Sequence, residues 1–370
     1  MDSSDFYLIA AYYRRSNLFV NETSLRSLDK KLKVSVKRIS AKQPLDHMQY
    51  TLRLKKSSQK DVYYFAKDHT LTLWSIKDGP IGTTLKFDKN IKAFAIWRDM
   101  IIASNADQLV FIRRHRKEHS IQINIVNNGG AGAKIKLGES LFVVKNMLFF
   151  IKKGIEEREL CKFDLTTIES GFTNISQIDN IDSGVVRFAI NGTKPVPYYI
   201  NKTGEIFRDG KVVGTCTAAR DDHEYTYFDI IYKYIFICIQ TKIKTQIQAP
   251  PEGDPVDQTT YISTVYMYRT DGRPVGHLED LEQSKSVNSE YFRVAMLQVD
   301  KFRLFAAIRQ MEGFTIFAVH RSKIIRIQTI VPIVDDIEYQ CVSAISGFDR
   351  NELVLIGNGN SDFVRCMINI

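Results

Sequence analysis

His115 and His119 bracket Arg116, Lys117 and Glu118 in an H-x-x-E-H pattern. On one face of a helix two such imidazoles would hold zinc, with the glutamate placed to work on a bound water. Here strand-like Leu109-Val110-Phe111-Ile112 precedes the motif and Ile121-Gln122-Ile123-Asn124-Ile125 follows it, so the sequence places it at a charged hairpin tip. Gly129, Gly130 and Gly132 lie just ahead of Lys134, which invites a phosphate loop. That loop needs G-x-x-x-x-G-K-S/T opening a helix, so that backbone N–H groups converge on phosphate. The spacing differs, and Lys134-Ile135-Lys136-Leu137-Gly138 is not helical in pattern; residues 127–133 read as a flexible link. Asp221, Asp222, His223 and Glu224, and Asp335, Asp336 and Glu338, offer hard metal ligands or an acid/base pair. Both groups fall in polar joints between strand-like runs, where exposed carboxylates are expected without a catalytic role. The chain has no G-x-S-x-G elbow. No catalytic, cofactor-binding or metal residue is therefore assigned, and an enzyme with a site in a central channel ranks last.

The stronger chemical signal is charge. The chain carries a net +9, yet residues 1–120 hold 23 Lys/Arg against 12 Asp/Glu and the remaining 250 residues hold 28 against 30. Three clusters stand out in the first third: Lys30, Lys31, Lys33, Lys37 and Arg38; Arg53, Lys55 and Lys56; and Arg113, Arg114, Arg116 and Lys117. Such clusters attract an acidic protein surface or follow a phosphate backbone, with affinity that falls as salt rises. The plain alternative is a solvated strand face. Tyr12, Tyr13, Tyr50, Tyr63 and Tyr64 lie among these charges and could stack on bases, although tyrosines alternating in strands usually pack.

These residues need elements to position them, and composition points to strands. The 370 residues are 44% hydrophobic and 25% charged, ordinary for a chain that buries a core, and 22 Phe and 17 Tyr join many Ile, Val and Thr. Met1–Asp5 is acidic and the apolar run Phe6–Tyr13 is short for a secretion signal. The longest apolar stretches are broken by Lys145 and Lys233, short of a membrane span. The five cysteines (Cys161, Cys216, Cys238, Cys341 and Cys366) are scattered singly, which suits reduced thiols rather than a disulfide framework. The expected location is intracellular, cytoplasmic or nuclear, without membrane insertion.

The β pattern recurs. Val62–Phe87 reads as strand, turn, strand, turn, strand, and six further units follow. Trp74, Phe111, Phe163, Phe207, Tyr268, Phe317 and Cys366 mark comparable places, spaced about 49 residues apart on average, near the interval of four-stranded propeller blades. Asp68-His69-Thr70-Leu71-Thr72-Leu73-Trp74, followed by Lys77-Asp78-Gly79, resembles the end of a WD40 repeat. Ser75 stands where that repeat carries Asp, and no Gly-His pair opens a blade. The resemblance implies a WD40-like β-propeller with Asp68, Trp74, Asp78 and Gly79 as repeat markers, a fold suited to docking proteins.

The expected architecture is all-β: one seven-bladed propeller of four-stranded antiparallel blades over residues 1–370, the blades filling about 46–370. The last unit lacks its outermost strand, so the N-terminal segment 1–45 should supply it, from either Phe6–Tyr13 or Lys33–Ile39. The alternative is an eighth, poorer blade made from residues 5–45. Gln246–Thr259 holds three of the nine prolines and reads as an exposed loop insertion. Only Ser24–Lys31 and Leu278–Ser284 show helical tendency. The functional expectation is a non-enzymatic, WD40-like interaction scaffold in a larger assembly, docking proteins with acidic surfaces; the second reading is an RNA-associated propeller using the same basic clusters.

Overall fold

Strands that alternate polar and apolar residues must bury one face, and strands with no polar face must bury both. In the computed structural model the chain meets this demand with seven four-stranded antiparallel sheets. The structure describes residues 22–39, 53–56, 62–67, 69–75, 79–98, 100–105, 108–113, 120–124, 136–153, 157–169, 179–191, 195–216, 223–247, 256–283, 292–300, 302–309, 313–334, 337–338, 341–346, 351–357 and 363–370.

Blade 1 comprises Arg53–Lys56, Val62–Lys67, Thr70–Ser75 and Gly79–Lys86. Blade 2 is Ala93–Trp97, Met100–Ser104, Gln108–Arg113 and Ser120–Asn124, and blade 3 is Lys136–Val144, Met147–Lys153, Arg158–Asp164 and Asp179–Ser183. Blade 4 is Val185–Ile190, Pro197–Asn201, Glu205–Arg208 and Lys211–Thr215. Blade 5 is His223–Ile231, Tyr234–Ile247, Val256–Arg269 and Pro274–Gln283, and blade 6 is Phe292–Val299, Phe302–Arg309, Gly313–His320 and Lys323–Ile330. In each the strands lie side by side in chain order. Blade 7 takes Cys341–Ser346, Glu352–Gly357 and Phe363–Asn369 from the end of the chain and its fourth strand, Lys33–Ile39, from the beginning.

That fourth strand is one of the two expected for the role. Lys33 lies opposite Asn369 and Ile39 opposite Phe363, an unbroken seven-residue register. Its use in blade 7 leaves the described N-terminal residues without an eighth blade; Phe6–Tyr13 lies outside the described residues. The segment ahead of the strand is helical as expected, with Glu22–Arg26 followed by a 3₁₀ turn at Ser27–Lys30. Leu25, Leu28 and Leu32 enter one core with Leu297, Leu304 and Ile316 of blade 6 and Leu353, Val364 and Cys366 of blade 7, and Val34 and Val36 pack against it.

The cores lie between blades. Trp97, Ile102 and Phe111 of blade 2 meet Leu148, Phe150 and Phe163 of blade 3. Tyr198 and Ile206 of blade 4 meet Phe228 and Ile237 of blade 5, whose Phe236 and Met267 in turn meet Phe305 and Phe317 of blade 6. A middle strand can therefore be covered on both faces, as in Met100–Ser104, where every residue is buried. Outer strands alternate, as in Lys323–Ile330. First strands of successive blades lie against one another from blade 2 to blade 7, and that of blade 7 lies against that of blade 1, so first strands are innermost.

All seven repeat markers, from Trp74 to Cys366, sit in the third strand of their blade. Two local expectations are corrected. Leu278–Gln283 is strand, not helix: Leu278 lies opposite Val265 and is buried between blades 5 and 6, a tertiary demand that outweighs local preference. The Gln246–Thr259 loop is shorter than expected, because Gln246 and Ile247 pair with Asp257 and Val256 in a long hairpin. Residues 248–255 lie outside the described residues, as does the 127–133 link.

Candidate functional site

In an antiparallel four-strand meander the turns joining strands 1–2 and strands 3–4 fall on one edge of the sheet. Contacts between blades bring these edges together. The Trp97 Nε1–H at the end of the first strand of blade 2 donates to Asn146 Oδ1 in the 1–2 turn of blade 3 at 3.3 Å. Tyr198, early in the second strand of blade 4, is hydrogen-bonded to Thr270 in the 3–4 turn of blade 5. Arg303, early in the second strand of blade 6, places its guanidinium carbon 4.0 Å from the centre of the Tyr232 ring in the 1–2 turn of blade 5. Glu22, ahead of the blade 7 closing strand, feels the charges of His320 and Lys323 at the 3–4 turn of blade 6. The turns thus form one rim.

Four of the 1–2 turns are two residues long and begin with a non-glycine residue at positive φ: Arg98 (51°), Lys145 (56°), Tyr232 (60°) and Asp300 (51°). Two-residue hairpins need this left-handed backbone to match strand twist, and Gly, Asn or Asp normally supplies it. A bulky side chain there costs roughly 1–2 kcal/mol, a cost shared by Arg98, Lys145 and Tyr232; Tyr232 is the aromatic one among them. It is also 49% exposed. Its ring is flanked by Arg303 and by the Lys233 ammonium at 5.7 Å, and the same ammonium lies 5.6 Å from the Tyr234 ring. Burial raises the Tyr234 phenol above its ordinary value, opposed by the nearby Arg269 and Arg303 charges. Among the described residues, Arg303 Nε is buried without a hydrogen-bond partner.

The adjoining 3–4 turn of blade 5 is tied in by the Thr270 N–H, which donates to the Lys233 carbonyl at 3.0 Å. Its Asp271 is committed to Arg273 at 2.7 Å and lies 3.9 Å from Arg269. Arg273 and, more weakly, Arg269 hold the Asp271 carboxyl below the usual range. The 3–4 turns of blade 4 (Asp209, Gly210, then Lys211) and blade 6 (Arg321, Ser322, then Lys323) continue the same rim of cations with interspersed acids.

Some of the sequence-predicted basic residues reach this rim on blades 7, 1 and 2. Lys30 and Lys31 are exposed where the 3₁₀ turn ends, and Lys33 begins the outer strand of blade 7 beside Asn369. Lys33 and Lys37 face out while Val34 and Val36 face in, and Arg38 is half-buried. Lys56 ends the innermost strand of blade 1 opposite Tyr63, with Lys55 opposite Tyr64 and Arg53 opposite Ala66. Arg113 ends the third strand of blade 2 opposite Met100. Lys30, Lys31, Lys33, Lys56 and Arg113 lie towards this end, whereas Lys37 and Arg38 lie towards the other end of their strand, opposite Arg365 and Val364, and Arg53 begins its strand, so no single strand face or rim gathers the clusters. Arg114, Arg116 and Lys117 lie outside the described residues, with the whole H-x-x-E-H motif, between strands that pair with each other. Trp74 lies opposite Tyr63 and Pro80, and Gly79 opposite Ser75; Asp68 and Asp78 lie outside the described residues.

Of the remaining candidates, His223 and Glu224 pair with Thr241 and Gln240 in blade 5, and Glu338 pairs with Ile333 in a short ribbon after blade 6. Asp221, Asp222, Asp335 and Asp336 lie outside the described residues. Among the described residues no group of three His, Cys, Asp or Glu side chains could hold a metal, and no helix is long and apolar enough to cross a membrane.

Sequence reasoning missed Tyr232, Lys233, Arg269, Arg273 and Arg303. Tyr-Lys is not a turn dipeptide by composition, so the signal was available only as an interruption of the apolar run Tyr227–Ile239.

No family model matches the chain, and no curated protein matches it. Solved structures do. The N-terminal domain of Nup159 superposes with a TM-score of 0.51 at 11% identity, covering 90% of this chain and 95% of that one. A chain in the S. cerevisiae assembly of Dbp5 bound to Nup159, Gle1, IP6 and ADP gives 0.53 at 11% identity, covering 91% and 95%. BBS1N, solved in complex with ARL6DN, gives 0.53 at 9% identity, covering 86% and 91%. The fold is a seven-bladed β-propeller.

Proposed function

We propose that the chain is a non-enzymatic scaffold, a subunit of a larger intracellular assembly, that docks proteins with acidic surfaces on one rim of its propeller. The observation that carries this reading is the convergence of cationic turns on a single end: Lys31 and Lys33, Arg98, Lys145, Lys233, Arg273, Arg321 and Lys323. Cations on a rigid rim raise the local concentration of an acidic partner and set its orientation. The fold neighbours support docking as the use of such a surface, since Nup159 and BBS1N were each solved in company with other proteins. Cys161, Cys216, Cys238 and Cys366 are buried free thiols, in keeping with a reducing compartment.

Tagged chain, recovered from its own cells at low salt, should elute in size-exclusion chromatography well above 42.5 kDa together with stoichiometric partners rich in Asp and Glu. A chain that elutes alone as a monomer from that extract overturns the reading.

A further inference from the structure

We propose that the Tyr232–Arg303 stack, with Lys233 beside it, receives one carboxylate side chain of an acidic peptide segment in the partner protein, an apolar neighbour of that carboxylate lying on the Tyr232 ring. The inference rests on the scaffold reading and locates one contact within it.

Three observations converge. Arg303 is half-buried against Tyr232, and its Nε–H has no hydrogen-bond partner among the described residues. The covered Nε–H is not itself within reach of a partner, but the half-buried guanidinium that carries it is partly dehydrated, and such a cation binds an anion more strongly than a fully hydrated one because less water must be displaced. Lys233 likewise makes no ion pair among the described residues, resting instead between the rings of Tyr232 and Tyr234. The carboxylate of Asp271, in the adjoining turn, is engaged by Arg273 and so leaves these two cations unanswered.

The third observation is Tyr232 itself. A two-residue turn at φ 60° accepts Gly or Asn without strain, yet it holds a large aromatic ring with half its surface in water. Arg98 and Lys145 keep the same backbone, so what sets this turn apart is the exposed aromatic ring held on it. The ring offers an apolar body with cations around it, the surface on which an aromatic or aliphatic residue next to a Glu or Asp would lie.

The charge pattern selects a peptide over a nucleic acid. Asp209, Asp271 and Asp300 interrupt the cations from turn to turn along blades 4, 5 and 6. These acids break the cations into separate spots, which suits discrete carboxylates placed between them better than an unbroken phosphate track.

The test uses full-length chain and a fluorescein-labelled twelve-residue peptide of Glu, Asp and one Phe, read by fluorescence anisotropy at low salt. Tyr232→Asn suits the left-handed turn, so the variant should melt close to wild type while binding the peptide about tenfold more weakly. Lys233→Glu, fully on the surface, should weaken binding by at least as much. Lys202→Glu, on the opposite rim in the 2–3 turn of blade 4, should leave it within about twofold. The proposal is overturned if the peptide does not bind, if Tyr232→Asn and Lys233→Glu bind as wild type does, or if a uridine twelve-mer binds more tightly with the same dependence on both residues. Recovery of the same cellular partners by wild type and by the Tyr232→Asn, Lys233→Glu double variant would leave the scaffold reading standing and remove this site from it. Recovery of none by wild type would instead remove the scaffold reading, while the peptide titration still decides whether the stack binds carboxylates.

Discussion

Val36, in the N-terminal strand, lies directly opposite Cys366 in the last strand of the chain, which is buried in the core between blades 6 and 7 with Val36 packed against that core. The two ends of the polypeptide are therefore joined by backbone pairing and by burial together. Val36→Asp should cost roughly 1–3 kcal/mol, because a carboxylate would be pressed against an apolar core. Ser35→Asp, on the outward face of the same strand, should stay within about 0.5 kcal/mol. Urea denaturation of the two variants checks this: equal losses would mean that the strand does not pack as described.

A second seam is tested at Gly272. Its φ is +84°, and a Cβ there would come within 1.8 Å of the Val213 carbonyl oxygen, where the outer strand of blade 4 meets the 3–4 turn of blade 5. Gly272→Ala should therefore cost well beyond the roughly 1–2 kcal/mol of a left-handed alanine, since the blades must also separate. Gly210 has nearly the same φ, +78°, but open space around it. Gly210→Ala should show the backbone cost alone, and thermal unfolding of both variants separates the two contributions.

Much of this architecture was legible because propeller blades repeat a simple pattern. The spacing from Trp74 to Cys366 located the third strand of every blade, where an apolar or aromatic residue recurs and, in blades 2, 3, 5, 6 and 7, is buried. The missing outer strand of the last unit pointed to the N-terminus, and Lys33–Ile39 alternates as an outer strand should. Leu278–Gln283 misled because its leucines stand three apart, a helical spacing, while irregularities in the pairing of this strand with Val256–Arg269 let Leu278 still reach the core. The rim was not legible. Charge summed along the chain pointed to residues 1–120, but alignment of turns from Lys145, Lys233 and Arg321 depends on the meander of each blade. Tyr232 and Arg303 stand far apart in sequence and meet only because blades 5 and 6 are adjacent.

Burial pushes the thiols of Cys161 and Cys366 up from the ordinary 9.0 to about 12. A group whose acid form is preferred in the folded state contributes its full stability below its unfolded pKa and loses it as pH rises towards the folded value. Stability should therefore be insensitive to these thiols up to about pH 9 and fall between about pH 9 and 12. Cys366→Ala should flatten part of that fall in a series of urea midpoints against pH. At pH 8 the four buried thiols should react with a colorimetric disulfide reagent only after unfolding, because the thiolate is the nucleophile. Rapid native-state labelling of Cys161 or Cys366 would contradict their burial.

Salt dependence bears on the lysines of the blade 7 closing segment. Lys30, Lys31, Lys33 and Lys37 are exposed, so an acidic partner drawn by them gains attraction that mobile ions screen. The retained partners should be released progressively as NaCl rises from about 0.1 M to about 0.5 M, and replacement of the four lysines by Glu should shift release to lower salt. All four side chains point away from the blade 6–7 core, so the quadruple variant should melt within a few degrees of wild type. Binding that is indifferent both to salt and to these charges would place the partner on an uncharged surface. If wild type also holds a uridine twelve-mer at low salt and the Glu variant does not, the lysine cluster serves RNA, and the acidic-protein reading must rest on blades 5 and 6 alone.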